Sequence, residues 1–302
     1  MPRPAYHALA AILVLWLATA CSGPQPSAEE AGIDALARDS FYVDRTAHTG
    51  LVSYLHAGTA EVARIVFLHG ASGNARDWAD FLLAPTEGQA YVAVDRPGFG
   101  ASRPEGAVLS LAAQSAALAP LLDPEADVPV VLVGHARGAA VALAAAARFP
   151  ERVAGVVVLA GALDPSLADP HWLRTVAARP PVRWFLPRAS VNAARERLAH
   201  PARLRELVPR LSSVRQPVRI IHGVNDTSAP FAHAAFLQQR LSRAPVTLLR
   251  LENAGHALPG RATAIVRAHI NTLVAELCGG LADCRRGASN TGSAAGGEPH
   301  GS

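Results

Sequence analysis

Short apolar runs recur along the middle of the chain at the length of buried strands, with amphipathic or Ala-rich stretches between them. Phe41 to Asp44 and Val52 to Leu55 read as an opening antiparallel pair. Arg64 to Leu68, Tyr91 to Val94, Val130 to Val133, Gly155 to Leu159, Val218 to Ile221 and Val246 to Leu251 follow. These are nearly continuous apolar runs, as strands covered on both faces require. Helical stretches fill the crossovers near Asp77 to Leu83, Leu111 to Leu121, Arg137 to Arg148, Phe231 to Leu241 and Arg261 to Leu277. Pro150 stops the third of these, because proline cannot continue a helix and restrains the residue before it. The alternation predicts an α/β domain over residues 41–277, built on a mostly parallel sheet of eight strands.

The alternation is interrupted once, by residues 163–214 between the sixth and seventh strands. This stretch carries Trp172, Trp184 and Phe185, the paired Pro180 and Pro181, and two Arg-rich helical segments. It reads as a mobile helical cap that shapes a cavity and excludes water from it. A plainer role for its aromatics is to fasten the cap to the core.

Composition agrees with one large core: of 302 residues, 50% are hydrophobic and 17% charged. The formal charge of +4 rests on Arg alone, since the chain has no Lys, and the Arg residues are scattered. That scatter argues against a nucleic-acid partner. At the start, Arg3 precedes an apolar run from Ala8 to Ala18 and small residues up to Cys21, which predicts a signal peptide over residues 1–20. The run is too short to span a bilayer. Leu17-Ala18-Thr19-Ala20-Cys21 resembles a bacterial lipoprotein signal. The resemblance implies an exported protein acylated at Cys21 and held at the cell envelope by a tether over residues 21–40. Ser22 favours the outer membrane of a Gram-negative cell, and a secreted or periplasmic protein is the alternative. Cys278 and Cys284 flank a short Gly-Gly loop that can close as a disulfide in an oxidising compartment, or they remain two free thiols. Residues 278–302 read as a disordered tail.

The chemistry-bearing stretches all follow strands. The strand at Val130 runs through Gly134-His135-Ala136-Arg137-Gly138 directly into an Ala-rich helix. His69-Gly70-Ala71-Ser72-Gly73-Asn74, with Asp77-Trp78 beyond, follows the third strand. Asp95-Arg96-Pro97-Gly98-Phe99-Gly100-Ala101-Ser102 follows the fourth. His222-Gly223-Val224-Asn225-Asp226 follows the seventh, with Pro230 after it, and Gly255-His256 follows the eighth. Together these motifs resemble the α/β-hydrolase superfamily over Phe41 to Leu277.

The resemblance implies a nucleophile, acid and base in that chain order, at position 136, Asp226 and His256. It also implies an oxyanion hole from the backbone N–H groups of Ala71 and Arg137. A small ester-like or apolar molecule is the expected ligand, and no metal or cofactor is expected, since no cluster has metal-ligand spacing. The family's strand-turn-helix pattern is Gly-x-Ser-x-Gly, and here the apex is Ala136, whose methyl group cannot attack a carbonyl carbon. Neither Asp nor Cys stands in for it.

Three readings follow. The chain is an impaired or ligand-binding hydrolase homologue, or an enzyme that uses the His256–Asp226 pair as a general base without a nucleophile, or an ordinary serine ester hydrolase in which Ala136 is not the native residue. The individual residues also have plainer readings. His256 in isolation is a loop histidine, Asp226 a helix N-cap and Asp95 a brace for its own turn. Asp164, before Pro165, is a second candidate acid or a turn residue. Ser72 and Ser102 lie at no elbow, and His135 and Arg137 flank the apex without filling it.

Overall fold

A computed structural model describes residues 28–43, 50–122, 128–167 and 176–279. The expected signal peptide, Cys21, Asp44, Trp172, Cys284 and residues 280–302 of the expected tail lie outside them. Residues up to Ala35 form a unit of their own, described as the short helix α1 (Ala28–Asp34). Everything else belongs to the unit that begins at Leu36.

That unit is an eight-stranded sheet in the order β1-β2-β4-β3-β5-β6-β7-β8. Its strands are β1 (Ala37–Tyr42), β2 (Leu51–Ala57), β3 (Ala63–Leu68), β4 (Gln89–Val94), β5 (Val130–His135), β6 (Gly155–Leu159), β7 (Val218–Gly223) and β8 (Val246–Leu251). β2 pairs antiparallel with β1 and β4, and every pairing from β4 through β8 is parallel. Parallel neighbours need crossovers, and the crossover helices cover both faces, so β5, β6 and β7 are buried almost throughout.

Successive side chains point to opposite faces and build two cores. Val66, Leu68 and Leu132 join the first, under helix α4 (Arg137–Arg148). Ile65, Phe67, Val131 and Val133 join the second, with Trp78, Phe81 and helix α8 (Thr263–Leu277). Phe67 centres an aromatic cluster, 4.8 Å from Trp78, 5.1 Å from Phe81 and 5.2 Å from Tyr91 between ring centroids. Both cores draw only on residues from Leu36 onward, so this unit holds what it needs to fold without the first 35 residues.

The structure corrects several boundaries. The first strand starts at Ala37, so residues 37–40, expected in the tether, belong to the sheet. Their side chains are exposed, and the strand is held by its backbone ladder, Ala37 opposite His56 through Tyr42 opposite Leu51. Arg38 adds a hydrogen bond to Asp95 Oδ2 at 2.6 Å. An edge strand fastened in this way leaves little trace in a hydrophobic pattern. The expected helix from Leu111 to Leu121 is α3 (Leu111–Ala116) followed by a 3-10 turn at Ala119–Leu122, because Pro120 has no N–H to continue the ladder. Ala75–Trp78 is likewise 3-10 and leads into α2 (Ala79–Leu82).

In the cap, the two expected helical segments are one helix, α5 (Arg188–Leu211), which carries Pro201 and Pro209 inside it. Burial of Leu204, Leu207 and Leu211 in the first core overrides the interruption that proline imposes. α6 (Ala232–Arg240) and α7 (Leu258–Arg261) complete the helices among the described residues.

Candidate functional site

The site forms where β5 ends. Ala136 sits between β5 and α4 with φ 50° and ψ −109°, a conformation that L-residues rarely adopt. Two glycines enforce it through close packing. A Cβ on Gly138 would lie 2.1 Å from the Leu68 carbonyl oxygen, and one on Gly134 would lie 2.5 Å from the Gly138 oxygen. The helix start is therefore pressed against β3 and β5, and the chain can pass between them only through a tight apex at Ala136. The Ala136 amide donates to Leu159 O at 2.9 Å, which ties the apex to β6.

Two loops at the same sheet edge bring Asp226 and His256, the expected acid and base, together. Asp226 follows β7, and its side chain is buried. Its Oδ1 accepts the Ser228 and Ala229 amides, each at 2.8 Å, and its Oδ2 accepts Nδ1–H of His256 at 2.8 Å. Burial pushes the Asp226 carboxyl up, but the bonds from His256 and these amides outweigh it and hold the carboxyl below its usual range. An ionised Asp226 fixes the proton of His256 on Nδ1 and leaves Nε2 with a lone pair. Beneath the pair, His222 donates Nε2–H to Ala229 O at 2.7 Å and stays neutral, since burial lowers its pKa.

Ala136 and His256 line one cavity of about 540 Å³ with Gly70, Ala71, Arg137 and residues of the cap. Ser190, Ala193, Ala194, Arg197, His200 and Leu204 of α5 face into it at helical spacing.

Residues 65–268 match the family model described as the alpha/beta hydrolase family. The chain belongs to this family. Lipase LipV of Mycobacterium tuberculosis is 39% identical over 133 residues, which are 40% of this chain and 50% of LipV. The chain thus spans about half of LipV, and less of the other curated relatives it matches. Among solved structures, a membrane phospholipase A described as a bacterial virulence factor superposes with a TM-score of 0.65 at 20% identity, covering 90% of this chain and 98% of its own. The enol-lactonase of Burkholderia xenovorans superposes with a TM-score of 0.63 at 18% identity, covering 78% and 99%. At these identities the structures are alike in fold.

Within this α/β hydrolase, the loop after β3 is held from behind. His69 donates Nδ1–H to Gly70 O at 2.7 Å and accepts the Arg96 amide on Nε2 at 3.0 Å, so it is neutral, with burial lowering its pKa well below 6.5. Asp95 accepts the Ala75 amide at 2.7 Å and the Ala101 amide at 2.9 Å, bracing the loops after β3 and β4 together. Ser102 is buried, donating to Asp95 O and accepting the Ser53 amide at 2.8 Å, and it does not line the cavity. Ser72 does line it, with its hydroxyl bonded to Ala71 O at 2.7 Å. Asp164 also lines the cavity, with its Oδ1 accepting the Ser166 amide and hydroxyl in a turn arrangement. His135 donates Nε2–H to the His256 carbonyl at 2.9 Å, so it steadies the loop that carries the base. Cys278 follows the end of α8 and is disulfide-bonded.

Sequence reasoning missed three features of the site. His200 donates Nε2–H to Ala162 O at 2.8 Å, and burial lowers its pKa to about 3. His233 accepts the Leu163 and Asp164 amides on Nδ1, and burial lowers its pKa to about 4. Both line the cavity in their neutral forms. The third is the buried pair of Arg96 and Glu196, bonded at 2.8 and 3.1 Å, with Gln114 donating to the same Glu196 carboxylate at 2.9 Å. Arg96 also donates to His69 O at 2.8 Å and Gly70 O at 3.1 Å, so one guanidinium joins the cap helix to the loop beside the apex. The only trace of this in the sequence was Glu196, an acid on the apolar side of a cap helix.

Proposed function

We propose that this α/β hydrolase binds an ester-like or apolar small molecule in the cavity beneath its cap and forms no covalent acyl-enzyme. The observation that carries the reading is Ala136, which occupies the strained apex between two close-packed glycines, in one cavity with a preassembled His256–Asp226 pair. In a serine member of the family the base would take the nucleophile's proton, and the acid would hold the imidazole tautomer and stabilise the imidazolium. Here the apex residue, Ala136, offers Nε2 of His256 no hydroxyl. The backbone N–H groups of Ala71 and Arg137 do not depend on side-chain identity, so an oxyanion hole is compatible with the loss of the nucleophile.

The test is p-nitrophenyl ester hydrolysis by the chain from Ser22 onward and by its Ala136→Ser variant. Binding and oxyanion stabilisation alone leave roughly 10³- to 10⁴-fold acceleration over water, so slow turnover by the parent is expected. Serine at 136 should raise kcat by several orders of magnitude, up to about 10⁶-fold, toward the level of an ordinary serine ester hydrolase, and a further His256→Ala should remove the gain. No gain across short and long acyl chains would overturn the reading of the site as an ester-hydrolase frame.

A second reading is favoured by the bond between His256 and Asp226, which exists without any nucleophile to serve. In it, His256 takes a proton directly from a substrate or from an attacking water. Turnover by the parent that is lost in His256→Ala and unimproved by Ala136→Ser would select it. The reading also places the protein outside the cytoplasm, acylated at Cys21, for which incorporation of labelled palmitate that disappears in Cys21→Ser is the test.

A further inference from the structure

We propose that the cap segment 182–186 docks on an anionic phospholipid bilayer, with Trp184 and Phe185 entering the interface and Arg179 and Arg183 pairing with lipid phosphates. The segment is the apolar exception on the surface. Trp184 is 67% exposed and Phe185 83%, and Val182 and Leu186 on either side are exposed as well. Elsewhere among the described residues, exposed large apolar side chains occur singly. Contiguous exposed aromatics mark a surface that something covers. Trp and Phe beside arginines match the boundary between lipid headgroups and acyl chains.

Charge selects the bilayer as the occupant. Between positions 170 and 195 the chain has five Arg and no Asp or Glu. Arg188 is engaged by the Gly100 carbonyl and lies 4.0 Å from Glu105. Among the described residues, Arg179 and Arg183 have no ion-pair partner, and they are left to meet anionic headgroups. A second copy docking through the same patch would set two patches of the same positive charge face to face, because a two-fold contact uses the same surface on both copies.

The backbone of the segment suits an apolar surface. The amides of Arg183, Trp184 and Phe185 donate to Arg179, Pro181 and Val182 carbonyls at 3.0, 3.0 and 3.2 Å, so the backbone donors of the two aromatic residues are satisfied within the segment. Leu186 and Ala177 line the cavity. Docking through 182–186 therefore sets one wall of the cavity against the bilayer. This contact is separate from any acyl anchor at Cys21, and it does not depend on whether residue 136 supports chemistry.

The test uses the chain from Ser22 onward, which lacks Cys21 and retains the unit that holds both cores. It is floated with phosphatidylcholine vesicles with and without phosphatidylglycerol. The parent should float with the anionic vesicles, and less so as salt rises. Trp184→Ala with Phe185→Ala should weaken partitioning by at least about tenfold. Arg179→Gln and Arg183→Gln should each weaken it by about fivefold. All three variants should melt at the parent's temperature, because the altered side chains reach solvent. Failure of the parent to float, or equal flotation of the aromatic variant, overturns the proposal. So does a parent that is dimeric by light scattering, becomes monomeric in the aromatic variant and binds no vesicles, since the patch would then belong to a second copy.

Discussion

Lowering the pH from 7 to 5 should destabilise the fold steeply, because several histidines are folded in their neutral forms. Burial, first among the causes, lowers His135 to about 4, His233 to about 4 and His200 to about 3. In the unfolded chain each would titrate near 6.5. Below that value the unfolded state binds more protons than the folded state, so stability falls as pH falls, until the folded pKa is reached. Over this interval each histidine costs about 2 kcal/mol, and the three together cost about 6 kcal/mol. His69 and His222 are shifted in the same direction and add to the loss. Asp226 does not mask it. A lowered carboxyl contributes stability above its unfolded pKa and loses it only as pH falls through the folded value, below this window.

A loss of that size rivals the whole stability of many domains, and it corresponds to a fall in Tm of roughly 10–20 °C for a chain of this length. Urea unfolding of the chain from Ser22 at pH 7 and pH 5 measures it directly. His200→Gln keeps a donor for Ala162 O, and His233→Asn keeps an acceptor for the Leu163 and Asp164 amides. The double variant should therefore recover about 4 kcal/mol of the pH-dependent loss. Equal urea midpoints at the two pH values, or an undiminished loss in the double variant, would refute the reasoning.

Two further substitutions probe the frame itself. Glu196→Ala leaves the Arg96 guanidinium buried without its counter-charge and should cost about 3–5 kcal/mol in urea unfolding, whereas a loss under about 1 kcal/mol would show that the pair does not hold the cap to the core. Ala136→Gly should stabilise the protein by up to about 1 kcal/mol in the same assay, since glycine adopts the apex conformation without strain, and destabilisation would mean that the apex stores none.

What the sequence made legible and what it hid divide along physical lines. Val130 to Val133 and Gly155 to Leu159 were visible because a strand buried on both faces must be apolar at every position. Asp226 and His256 stood out through the motifs that carry the family resemblance, and both follow parallel strands, whose ends bring the two side chains together. β1 was displaced because its Ala-Arg-Asp-Ser start is held by backbone bonds and by Arg38, and periodicity reports neither. The cap's two Arg-rich segments prove to be one helix through Pro201 and Pro209, because burial of Leu204 and Leu207 against the core is set by the sheet beneath and not by local sequence. His200 and His233 were invisible for a related reason. Each joins the cavity only when the cap helix and α6 fold over the ends of the sheet, and neither carries a local motif.

The apex conformation does not depend on the side chain it carries. Its conformation is imposed by the closeness of Gly134 and Gly138 to neighbouring backbone, and by the bond from the Ala136 amide to β6, none of which involves the side chain at 136. Asp226 is likewise held by the Ser228 and Ala229 amides, and His256 by Asp226 and by its carbonyl's bond to His135. Each element of the site is therefore supported independently of the side chain at 136. A serine placed at 136 would enter a conformation already formed, adding one oxygen at a position that is 6% exposed in the cavity wall. Changes at Gly138, Asp226 or Glu196 alter the frame and the chemistry together, whereas Ala136→Ser alters the chemistry alone.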